Sequence, residues 1–449
     1  MSTSAIPVAP GSLPLLGHAV PLLRGSRLDY LLSVRAYGDA VTIYLGPKPV
    51  HVLTSPDLIH RALVVDAKKF AKGLLFERAR PYVGYGLLTS DGQFHKRQRQ
   101  MIQPGFHHDS INGLTSRMTE AAGRYIGNWR AGQTVAVERE MHGLMTSIIS
   151  HTLFNTEAAL EFGTLVQDSL PELVNSLGKR TLVPATWLYK IPTRGNRRFH
   201  ALASRLHQAT QQMIAAYQAD GEARGDLMSI LLAARDATGT PMSKEELGDE
   251  ILTLFIAGIE TCATTLTWAF HELGRRPDLR NRLHNEVDTV LAGRSVESST
   301  VSHLPFTNAL IHEVLRVHSP TWLLMRRTTE PVQLGAFEIP AGRDVLFSPA
   351  APHHHPESYS DPFRFDPDRW LGPERRVPPR FFIPFGSGGR KCIGEAFAWN
   401  QLHVAIAAIA ARWQLDPLPK HQIKTGAGAV LHIRHLPMTL RPRRGCQGK

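Results

Sequence analysis

The stretch Phe385-Gly-Ser-Gly-Gly-Arg-Lys-Cys-Ile-Gly394 decides the fold, because it joins a glycine-rich loop to a single cysteine. Cys392 ends this loop and precedes an apolar helix, so its sulfur is expected at the positive end of a helix dipole. Arg390 and Lys391 come directly before it, and nearby positive charge favours the thiolate form of cysteine. Cys392 is therefore a candidate metal ligand. The alternative is a buried cysteine that packs as a small hydrophobic side chain.

The glycines of this loop indicate that its backbone closely approaches another group. Gly386, Gly388 and Gly389 leave room for something flat or bulky, and the planar guanidinium of Arg390 suits a carboxylate. Glycine-rich turns before helices also bind phosphate. The spacing here matches neither Gly-x-Gly-x-x-Gly nor the phosphate-binding loop that ends in Gly-Lys-Ser/Thr, so a phosphate site is disfavoured.

The composition is that of a globular protein with a large core, since 43% of the 449 residues are hydrophobic and 20% are charged. No linker, proline-rich tract or repeat divides the chain, so we expect one large domain over residues 1–449. Residues 1–25 are predicted to form an extended arm without a membrane anchor, because four prolines would break a spanning helix. Residues 441–449 are predicted to be a basic, frayed tail.

Cysteine usage and net charge limit the compartment and the partners. The three cysteines form no Cys-x-x-Cys pair and are too few for a disulfide framework, so a cytoplasmic protein is expected. The net charge of +12 is most simply a basic solvated surface, and its functional alternative is a docking face for an acidic protein or an anionic cofactor. No nucleic acid is expected as a partner, because the basic residues form no block with interleaved aromatics.

The hydrophobic periodicity predicts a mainly α fold with a small β portion. Residues 41–54 alternate as a β-hairpin, and short strands are expected between 320 and 347. The spacing of apolar residues is helical over most of the chain between these segments. Ser243 and Glu246 form a capping box at the start of a predicted helix of about 30 residues, long enough to cross a domain.

The middle of that long helix carries the run Ala257-Gly-Ile-Glu-Thr-Cys262. Gly258 weakens the helix, and a threonine hydroxyl can bond back to the preceding turn, so a local distortion is expected. Glu260 and Thr261 place an acid beside a hydroxyl within an apolar helix, which is costly unless the pair binds or relays something. Both are therefore candidate catalytic residues.

The glycine-rich loop resembles the haem-binding loop of the cytochrome P-450 family, whose pattern is Phe-x-x-Gly-x-x-x-Cys-x-Gly. Phe385, Gly388, Cys392 and Gly394 occupy every fixed position of this pattern. Ten residues with four specified positions make a specific motif. The resemblance extends over nearly the whole chain, because further motifs follow the family's order and spacing.

Three of these motifs lie outside the loop. Residues 257–261 resemble the family's oxygen-binding motif. This sequence departs from the motif at Cys262, where threonine or serine is usual. Glu313-Val-Leu-Arg316 resembles its Glu-x-x-Arg signature, and Arg369 lies in a segment that resembles its downstream arginine-bearing loop. The resemblance implies that Glu313, Arg316 and Arg369 form a buried structural triad.

The resemblance implies a cytochrome P-450 fold that holds haem b, with Cys392 as the axial ligand of the iron and Glu260 and Thr261 delivering protons to bound oxygen. The further haem contacts that it implies are Phe385, Gly388 and Gly394 and, at the propionates, His95, Arg99, Arg326 and Arg390. No flavin domain or iron–sulfur cysteine pattern is fused to the chain. Electrons from NAD(P)H are therefore expected to arrive through a separate ferredoxin and its reductase, and the protein is expected to be a monomer.

Residues 74–88 are predicted to form an apolar and mobile loop, and the resemblance implies that this loop roofs a substrate pocket. The alternative is an ordinary packed loop. The predicted pocket residues are Phe76, Leu87, Leu88, Phe255, Ala257, Trp322, Leu323 and Val430. All are apolar, so no charged side chain among them anchors an acid or an amine. The sequence therefore favours a compact hydrocarbon or a sparsely functionalised lipid as the substrate.

The expected activity is hydroxylation of an unactivated C–H bond in secondary metabolism. The expected substrate is a cyclic sesquiterpene such as pentalenene. Successive oxidations at one of its methyl groups are a further expectation. Alternatives within the same chemistry are macrolide or steroid hydroxylation, and some haem-thiolate proteins use peroxide or isomerise their substrate. An alternative from another class is a non-catalytic haem sensor or carrier, which would need neither a pocket roof nor a proton relay.

Overall fold

The computed structural model describes residues 5–23, 26–182, 189, 191–220, 226–372 and 377–443. More of these residues are helical than extended, as the periodicity predicts. The helices are α1 (Ala19–Leu23), α2 (Arg27–Ser33), α3 (Pro56–His60), α4 (Leu74–Val83), α5 (Gly92–Ile102), α6 (His108–Asn112), α7 (Thr115–Ile126), α8 (Val137–Ile149), α9 (Glu157–Leu182), α10 (Arg194–Asp220), α11 (Leu227–Ala233), α12 (Lys244–Arg275), α13 (Pro277–Leu291), α14 (Ser298–Val301), α15 (Pro305–Val317), α16 (Ala350–His353) and α17 (Glu395–Arg412).

The strands are short. They are β1 (Ala40–Leu45), β2 (Lys48–Leu53), β3 (Phe70–Ala71), β4 (Thr134–Ala136), β5 (Leu324–Thr328), β6 (Val332–Leu334), β7 (Phe337–Ile339), β8 (Asp344–Phe347), β9 (Trp413–Pro417), β10 (Thr425–Ala427), β11 (Leu431–Ile433) and β12 (Pro437–Pro442). One sheet has the order β1-β2-β8-β5-β3 and another the order β4-β12-β9, while β6-β7 and β10-β11 form separate pairs. The antiparallel pairing of β1 with β2 confirms the predicted hairpin.

The 32-residue helix α12 is the central element of the helical part. Its capping box forms as predicted, because the Ser243 hydroxyl accepts the Glu246 N–H at 3.1 Å and the Glu246 carboxylate accepts the Ser243 N–H at 2.8 Å. Among the described helices, α12 is long and apolar enough to cross a membrane, yet 72% of its most apolar window is buried inside the protein. It is a core helix here, packed against α8, α9, α10, α15 and α17.

The largest hydrophobic cluster surrounds α12 and includes apolar residues of α7, α8, α9, α15 and α17. Helix α17 follows the cysteine loop and is buried along most of its length, which fits its apolar sequence. Two smaller clusters pack on either side of the five-stranded sheet. The long central helix and the cysteine loop before α17 thus belong to one continuous core.

The structure differs from the sequence expectations at both ends of the chain. Residues 19–23 of the predicted extended arm form α1. At the other end, residues 441 and 442 belong to β12, and Arg443 forms an ion pair of 2.6 Å with Asp288. This part of the tail is therefore anchored rather than frayed, because strand pairing and the ion pair hold it; residues 444–449, with Cys446, lie outside the described residues.

The predicted roof loop over residues 74–88 is also corrected. Residues 74–83 form the helix α4, and only the residues after it are a loop. This helix was not predicted from the sequence because Pro81 lies inside it, and proline removes a backbone hydrogen-bond donor. Gly73 and Gly84 bracket the helix, and both have positive φ angles that favour glycine, +88° and +79°.

Candidate active site

The cysteine loop is held by its own backbone and by a close approach to the first part of the chain. The Cys392 N–H donates to the carbonyl of Phe385 at 2.8 Å. Gly388 has a φ of +70°, and a Cβ there would lie 2.1 Å from the carbonyl oxygen of Leu63, so only glycine fits this position. The loop therefore presents Cys392 in a fixed place just before α17.

The electrostatics of Cys392 differ from the sequence expectation. Burial of the sulfur raises the pKa of its thiol above the ordinary value, although the N–H of Gly394 and the positive charges of Arg99 and Lys391 oppose this shift. These groups alone therefore do not produce the expected thiolate. A metal ion bound to the sulfur would supply the missing positive charge, because coordination deprotonates a thiol.

The middle of α12 has one exposed strip on an otherwise buried helix. Ala257 is exposed, and Ile256, Gly258 and Thr261 are partly exposed, although the turns on both sides are buried. The Thr261 hydroxyl donates to the carbonyl of Ala257 at 2.8 Å, which is the predicted back-bond. The expected distortion is absent, because α12 continues as an α-helix through this point.

Cys262 is adjacent to this strip but is not accessible. Burial raises the pKa of its thiol to about 12, and negative charge on Cys392 contributes to this increase. The side chain fills the core at 3% exposure. It therefore takes the place of the usual hydroxyl as a packing residue. Helix α12 packs against α17, the helix that directly follows the cysteine loop.

Glu260 has a partner that sequence reasoning missed. Its Oε2 lies 2.9 Å from Nε2 of His142 on α8, while Nδ1 of His142 donates to the carbonyl of Glu138 at 2.6 Å. Burial disfavours charge on His142, but the hydrogen bond and negative charge of Glu260 outweigh it and raise the histidine pKa. Glu260 and His142 therefore form a partly buried acid–base pair beside Thr261.

Basic side chains converge around the cysteine loop. Arg99 donates to the carbonyl of Lys391 at 2.7 Å, which brings α5 against the loop. Arg390 pairs with Asp91, yet its Nη1 is buried without a hydrogen-bond partner among the described residues. Burial and the nearby charge of Arg390 lower the pKa of Arg326 to about 10.

His95 and Lys72 belong to the same group of bases. Burial, together with the charges of Lys72, Arg390 and Arg99, lowers the pKa of His95 to about 3, against the weaker opposite effect of Asp91. Burial likewise lowers the pKa of Lys72 well below its ordinary value. Lys72 and Asp91 were not predicted from the sequence.

This excess of buried positive charge fits the two carboxylates of a haem. Arg390 is paired with Asp91, yet its charge still lowers the pKa of Arg326. Added carboxylates would relieve this repulsion. Arg390 Nη1, which has no partner among the described residues, and the desolvated thiol of Cys392 are the matching donor and ligand. His95, Arg99, Arg326, Arg390 and Cys392 therefore fit a donor set for a haem, and their assignment as haem contacts stays a prediction.

The three residues of the predicted triad lie together behind the loop. All five N–H groups of Arg316 are used, two by the carboxylate of Glu313 and three by the carbonyls of His353, Pro362 and Arg364, at 2.6 to 3.0 Å. Arg369 Nε lies 3.4 Å from Glu313, and its side chain is 11% exposed while the other two are fully buried.

The structure separates the predicted pocket residues. Phe255 is fully buried between the rings of Phe154 and Phe162, at 4.8 and 4.9 Å between centroids. Two residues along a helix correspond to a rotation of about 200°, so Phe255 and Ala257 lie on opposite faces of α12. Phe255 is therefore not a lining residue of the strip around Ala257, and this prediction is wrong.

The remaining pocket candidates lie within or just after α4, just before β5 and just before β11. Trp322 is buried and donates its indole N–H to the carbonyl of Gly428 at 3.0 Å, so it anchors the C-terminal loop. Val430 and Leu87 are buried, whereas Phe76, Leu88 and Leu323 are partly exposed. Leu87, Leu88, Leu323, Phe76 and Val430 therefore remain candidates beside Ala257.

Comparison with known proteins identifies this arrangement. The family model described as Cytochrome P450 matches residues 7–436. The chain belongs to the cytochrome P450 family. The haem domain of cytochrome P450DA has the same fold, with a TM-score of 0.88, 24% sequence identity and 99% of both chains covered. The predicted P450 fold is therefore confirmed, and the chain is a single helical domain with small sheets.

Bacterial terpenoid enzymes are among the P450 relatives of this chain. Cyclooctatin synthase of Streptomyces melanosporofaciens is 40% identical, with 97% of this chain and 95% of the relative covered. Cyclooctat-9-en-7-ol 5-monooxygenase of the same organism is 38% identical, over 97% and 95%. Pentalenene oxygenase of Streptomyces avermitilis is 34% identical, with 97% of both chains covered.

These findings confirm a haem-thiolate P450 monooxygenase related to terpene hydroxylases. As a P450, the protein uses haem iron, molecular oxygen and reducing equivalents, acts on a small molecule and receives electrons from redox partners. The non-catalytic sensor or carrier predicted as an alternative is therefore set aside. Its substrate and the roles of its individual residues are separate questions.

Proposed function

We propose that this P450 hydroxylates an unactivated C–H bond of a cyclic terpene, with a sesquiterpene hydrocarbon such as pentalenene as the first candidate and successive oxidation at one methyl group. The apolar exposed strip at Ala257, in the middle of a buried helix near the Cys392 loop, is the observation that carries this proposal. The identities of 34% to 40% with oxygenases of terpene metabolism support it. The product would belong to secondary metabolism.

Haem b bound through Cys392 would supply oxygen activation, because an axial thiolate favours O–O cleavage. Arg326, Arg390 and Arg99 would hold the propionates as charged donors. His95, whose pKa of about 3 keeps it neutral, would add an N–H donor without adding charge. Phe385, Gly388 and Gly394 would shape the loop that carries the ligand.

The chain's own proton donors lie at Glu260 and Thr261. The Thr261 hydroxyl donates to Ala257, and its oxygen keeps lone pairs that can accept a proton from a neighbouring donor. Glu260 is held by His142, which carries a proton more readily than an ordinary histidine because its pKa is raised. We assign proton delivery to Glu260 and Thr261, with His142 holding Glu260 in place.

The apolar lining selects the substrate class. Ala257, Leu87, Leu88 and Leu323 offer no charged group that would bind a fatty acid carboxylate or an amine. Such a pocket holds one carbon of a rigid hydrocarbon near the reacting centre by shape rather than by hydrogen bonds. A compact cyclic hydrocarbon fits these requirements.

The electrons would come from a ferredoxin and its reductase, with NAD(P)H as their source. The net charge of +12 suits an acidic donor protein, because opposite charges steer association. We place the enzyme in the cytoplasm as a monomer. An absolute dependence of NAD(P)H oxidation on an added ferredoxin and reductase tests this assignment.

A second candidate substrate is a cyclic alcohol, in the manner of the relative whose name is cyclooctat-9-en-7-ol 5-monooxygenase. One observation favours it. Thr253 Oγ1 and Glu250 Oε1 are buried without a hydrogen-bond partner among the described residues, on the face of α12 that carries Ala257. A substrate hydroxyl would find an acceptor or donor there.

The deciding experiment is a spectral titration of the haem-loaded enzyme, in which a substrate that displaces iron-bound water shifts the haem to high spin. We expect pentalenene to give this shift and to yield an oxygenated product with ferredoxin, reductase and NAD(P)H. Shift and product with cyclooctat-9-en-7-ol alone would select the alcohol. Shifts with macrolides or steroids only would reject the terpene assignment and keep the monooxygenase. Product formed without a reductase would indicate peroxide use or isomerisation.

A further inference from the structure

The loop after α4 is fastened to α12 by two carboxylates. We call residues Gly84–Leu88 the roof segment. The Tyr85 N–H donates to Asp249 Oδ2 at 2.6 Å, and the Leu87 N–H donates to Glu250 Oε2 at 3.0 Å. Glu250 is fully buried. The backbone donors of Tyr85 and Leu87 in the roof segment are therefore satisfied by side chains of α12.

The two glycines of the roof segment show how closely it lies on α12. A Cβ on Gly86 would be 2.4 Å from Thr253 Oγ1 and 2.5 Å from the Asp249 carbonyl oxygen. A Cβ on Gly84 would be 2.0 Å from the Asp249 carboxylate. Such distances exclude any side chain, so the backbone itself is in contact with the helix.

The carbonyl side of the roof segment is held from the opposite direction. Lys72 Nζ donates to the carbonyl of Leu87 at 2.7 Å and to that of Leu88. The Lys72 N–H also donates to Asp91 Oδ2 at 2.7 Å. Leu87 thus has its N–H bound by Glu250 and its C=O bound by Lys72. The predicted mobility of this loop is not what the structure shows.

The anchoring carboxylates share a helix face with the exposed strip. Glu250 and Ala257 are seven residues apart, which is close to two helical turns and about 10 Å along the axis. Thr253, under Gly86, lies one turn or about 6 Å before Ala257. The roof segment therefore closes the strip around Ala257 at its N-terminal end.

We propose that Asp249, Glu250 and Lys72 are positioning residues that fix the roof segment and thereby set the largest substrate that the pocket admits. The inference rests on the proposed function, because it takes the exposed strip around Ala257 as the substrate side of α12. Burial raises the pKa of Glu250 to about 8, which favours a neutral carboxyl within the core. Its neutral carboxyl still accepts the Leu87 N–H.

Two variants displace the roof segment by independent means. Glu250→Ala removes the acceptor of the Leu87 N–H, while Gly86→Ala inserts a methyl group that collides with α12. Glu250→Gln keeps an acceptor oxygen and should restore the wild-type position. Glu286→Gln is the matched control, because Glu286 accepts the backbone N–H groups of Phe306 and Thr307 at another loop end.

The probes are the sesquiterpene cedrene and the diterpene abietadiene, titrated against the spin state of the haem-loaded proteins. We expect Glu250→Ala and Gly86→Ala each to lower the ratio of the abietadiene Kd to the cedrene Kd about tenfold. Glu250→Gln and Glu286→Gln should leave this ratio unchanged. An unchanged ratio in both displacing variants overturns the proposal, since a purely structural role would alter stability without altering selectivity.

Hydrogen exchange separates this inference from the proposed function, because it needs no substrate. We expect the amides of Tyr85 and Leu87 to be protected in the wild type, and the Leu87 amide to lose about tenfold protection in Glu250→Ala but not in Glu250→Gln. Equal exchange in all three proteins would overturn the anchoring. If pentalenene fails to bind the wild type in the titration described above, the proposed function is rejected, and the exchange result still decides the anchoring.

Discussion

Arg316 on α15 and Arg390 within the cysteine loop differ in how their hydrogen bonds are satisfied. Arg316 uses all five N–H groups on protein acceptors within a fully buried pair with Glu313. Arg390 pairs with Asp91 but leaves Nη1 without a partner among the described residues. Its positive charge also helps to lower the pKa values of Arg326 and His95.

The contrast separates scaffold from ligand site. A buried cation whose donors are all satisfied has no capacity left for a ligand, so its removal is a stability effect. A cluster of cations with unused donors is under mutual repulsion, and an anionic ligand relieves it. We therefore expect variants on the two sides to fail in different ways, and the following predictions test that difference.

The largest effect is expected at Cys392, the candidate iron ligand in the same loop as Arg390. Cys392→Ser should abolish the red-shifted Soret band that a thiolate-bound haem gives in the reduced carbon monoxide complex, because serine offers no thiolate. Cys262→Ser is the control and should keep the band, since Cys262 is a packing residue. A band that survives in Cys392→Ser and disappears in Cys262→Ser would reverse the ligand assignment.

On the scaffold side, Glu313→Ala should lower the free energy of unfolding by about 3 to 5 kcal/mol, because Arg316 is left buried without its carboxylate. We expect aggregate or apoprotein on expression. Arg282→Ala removes an exposed ion pair with Asp368 nearby and should cost only about 0 to 1 kcal/mol. A soluble, haem-replete Glu313→Ala enzyme with wild-type thermal stability would show that the pair is not part of the scaffold.

On the ligand side, Arg326→Met should have the opposite signature. The unfolding midpoint of the apoprotein should stay within a few degrees of the wild type or rise, because one of several repelling cations is removed. Haem affinity should fall about 10- to 100-fold, as expected for the loss of a charged hydrogen bond. Haem-transfer kinetics and apoprotein melting curves measure the two quantities, and a destabilised apoprotein with unchanged haem affinity would place Arg326 in the scaffold.

A smaller effect is expected at Thr261. Thr261→Ala should bind haem and substrate as before but should divert electrons to hydrogen peroxide. Product per NAD(P)H should fall by roughly tenfold, less than the roughly 10²- to 10⁴-fold that a positioned acid or base contributes to a rate, because electron delivery continues. Thr264→Ala, a buried neighbour on the same helix, is the control. Unchanged coupling in Thr261→Ala would remove this residue from proton delivery.

The smallest predicted effect is on pH dependence. The pKa of Glu250 is raised from its ordinary value to about 8, so the folded protein holds this proton where the unfolded chain has released it. Stability should therefore fall as the pH rises from about 4.5 towards 8, and then level off. Glu250→Gln should flatten this part of the curve by a few degrees in Tm. Identical pH profiles for both proteins would show that Glu250 is ionised in the fold.

The loop at Phe385–Gly394 and the long helix α12 could be predicted because their signals are local: a fixed spacing, a capping box and an unbroken apolar run. Partners across the fold could not be predicted in this way. His142 meets Glu260 only because α8 packs on α12, and no pattern in either helix records that contact. Lys72 was missed because an isolated lysine in a sequence carries no sign of being buried.

Two errors have different causes. The helical phase of α12 already separates Phe255 from Ala257 by about 200°, so the wrong pocket assignment of Phe255 was avoidable from the sequence. The helix α4 was not, because Pro81 and the flanking glycines are signals of a loop. The roof segment was expected to be mobile for the same reason, since glycine content does not reveal the carboxylates that hold it.

The apolarity of α12 has a practical consequence for handling the protein. A helix that meets the length and hydropathy of a membrane span is harmless while 72% of its most apolar window is covered. A variant that fails to fold, such as Glu313→Ala, releases this segment, and we expect part of such material to sediment with membranes during cell fractionation. Recovery of a damaged variant in the membrane pellet would therefore report loss of packing around α12. Refolding of that material without detergent, followed by its return to the supernatant, would distinguish exposure of α12 from a native membrane association.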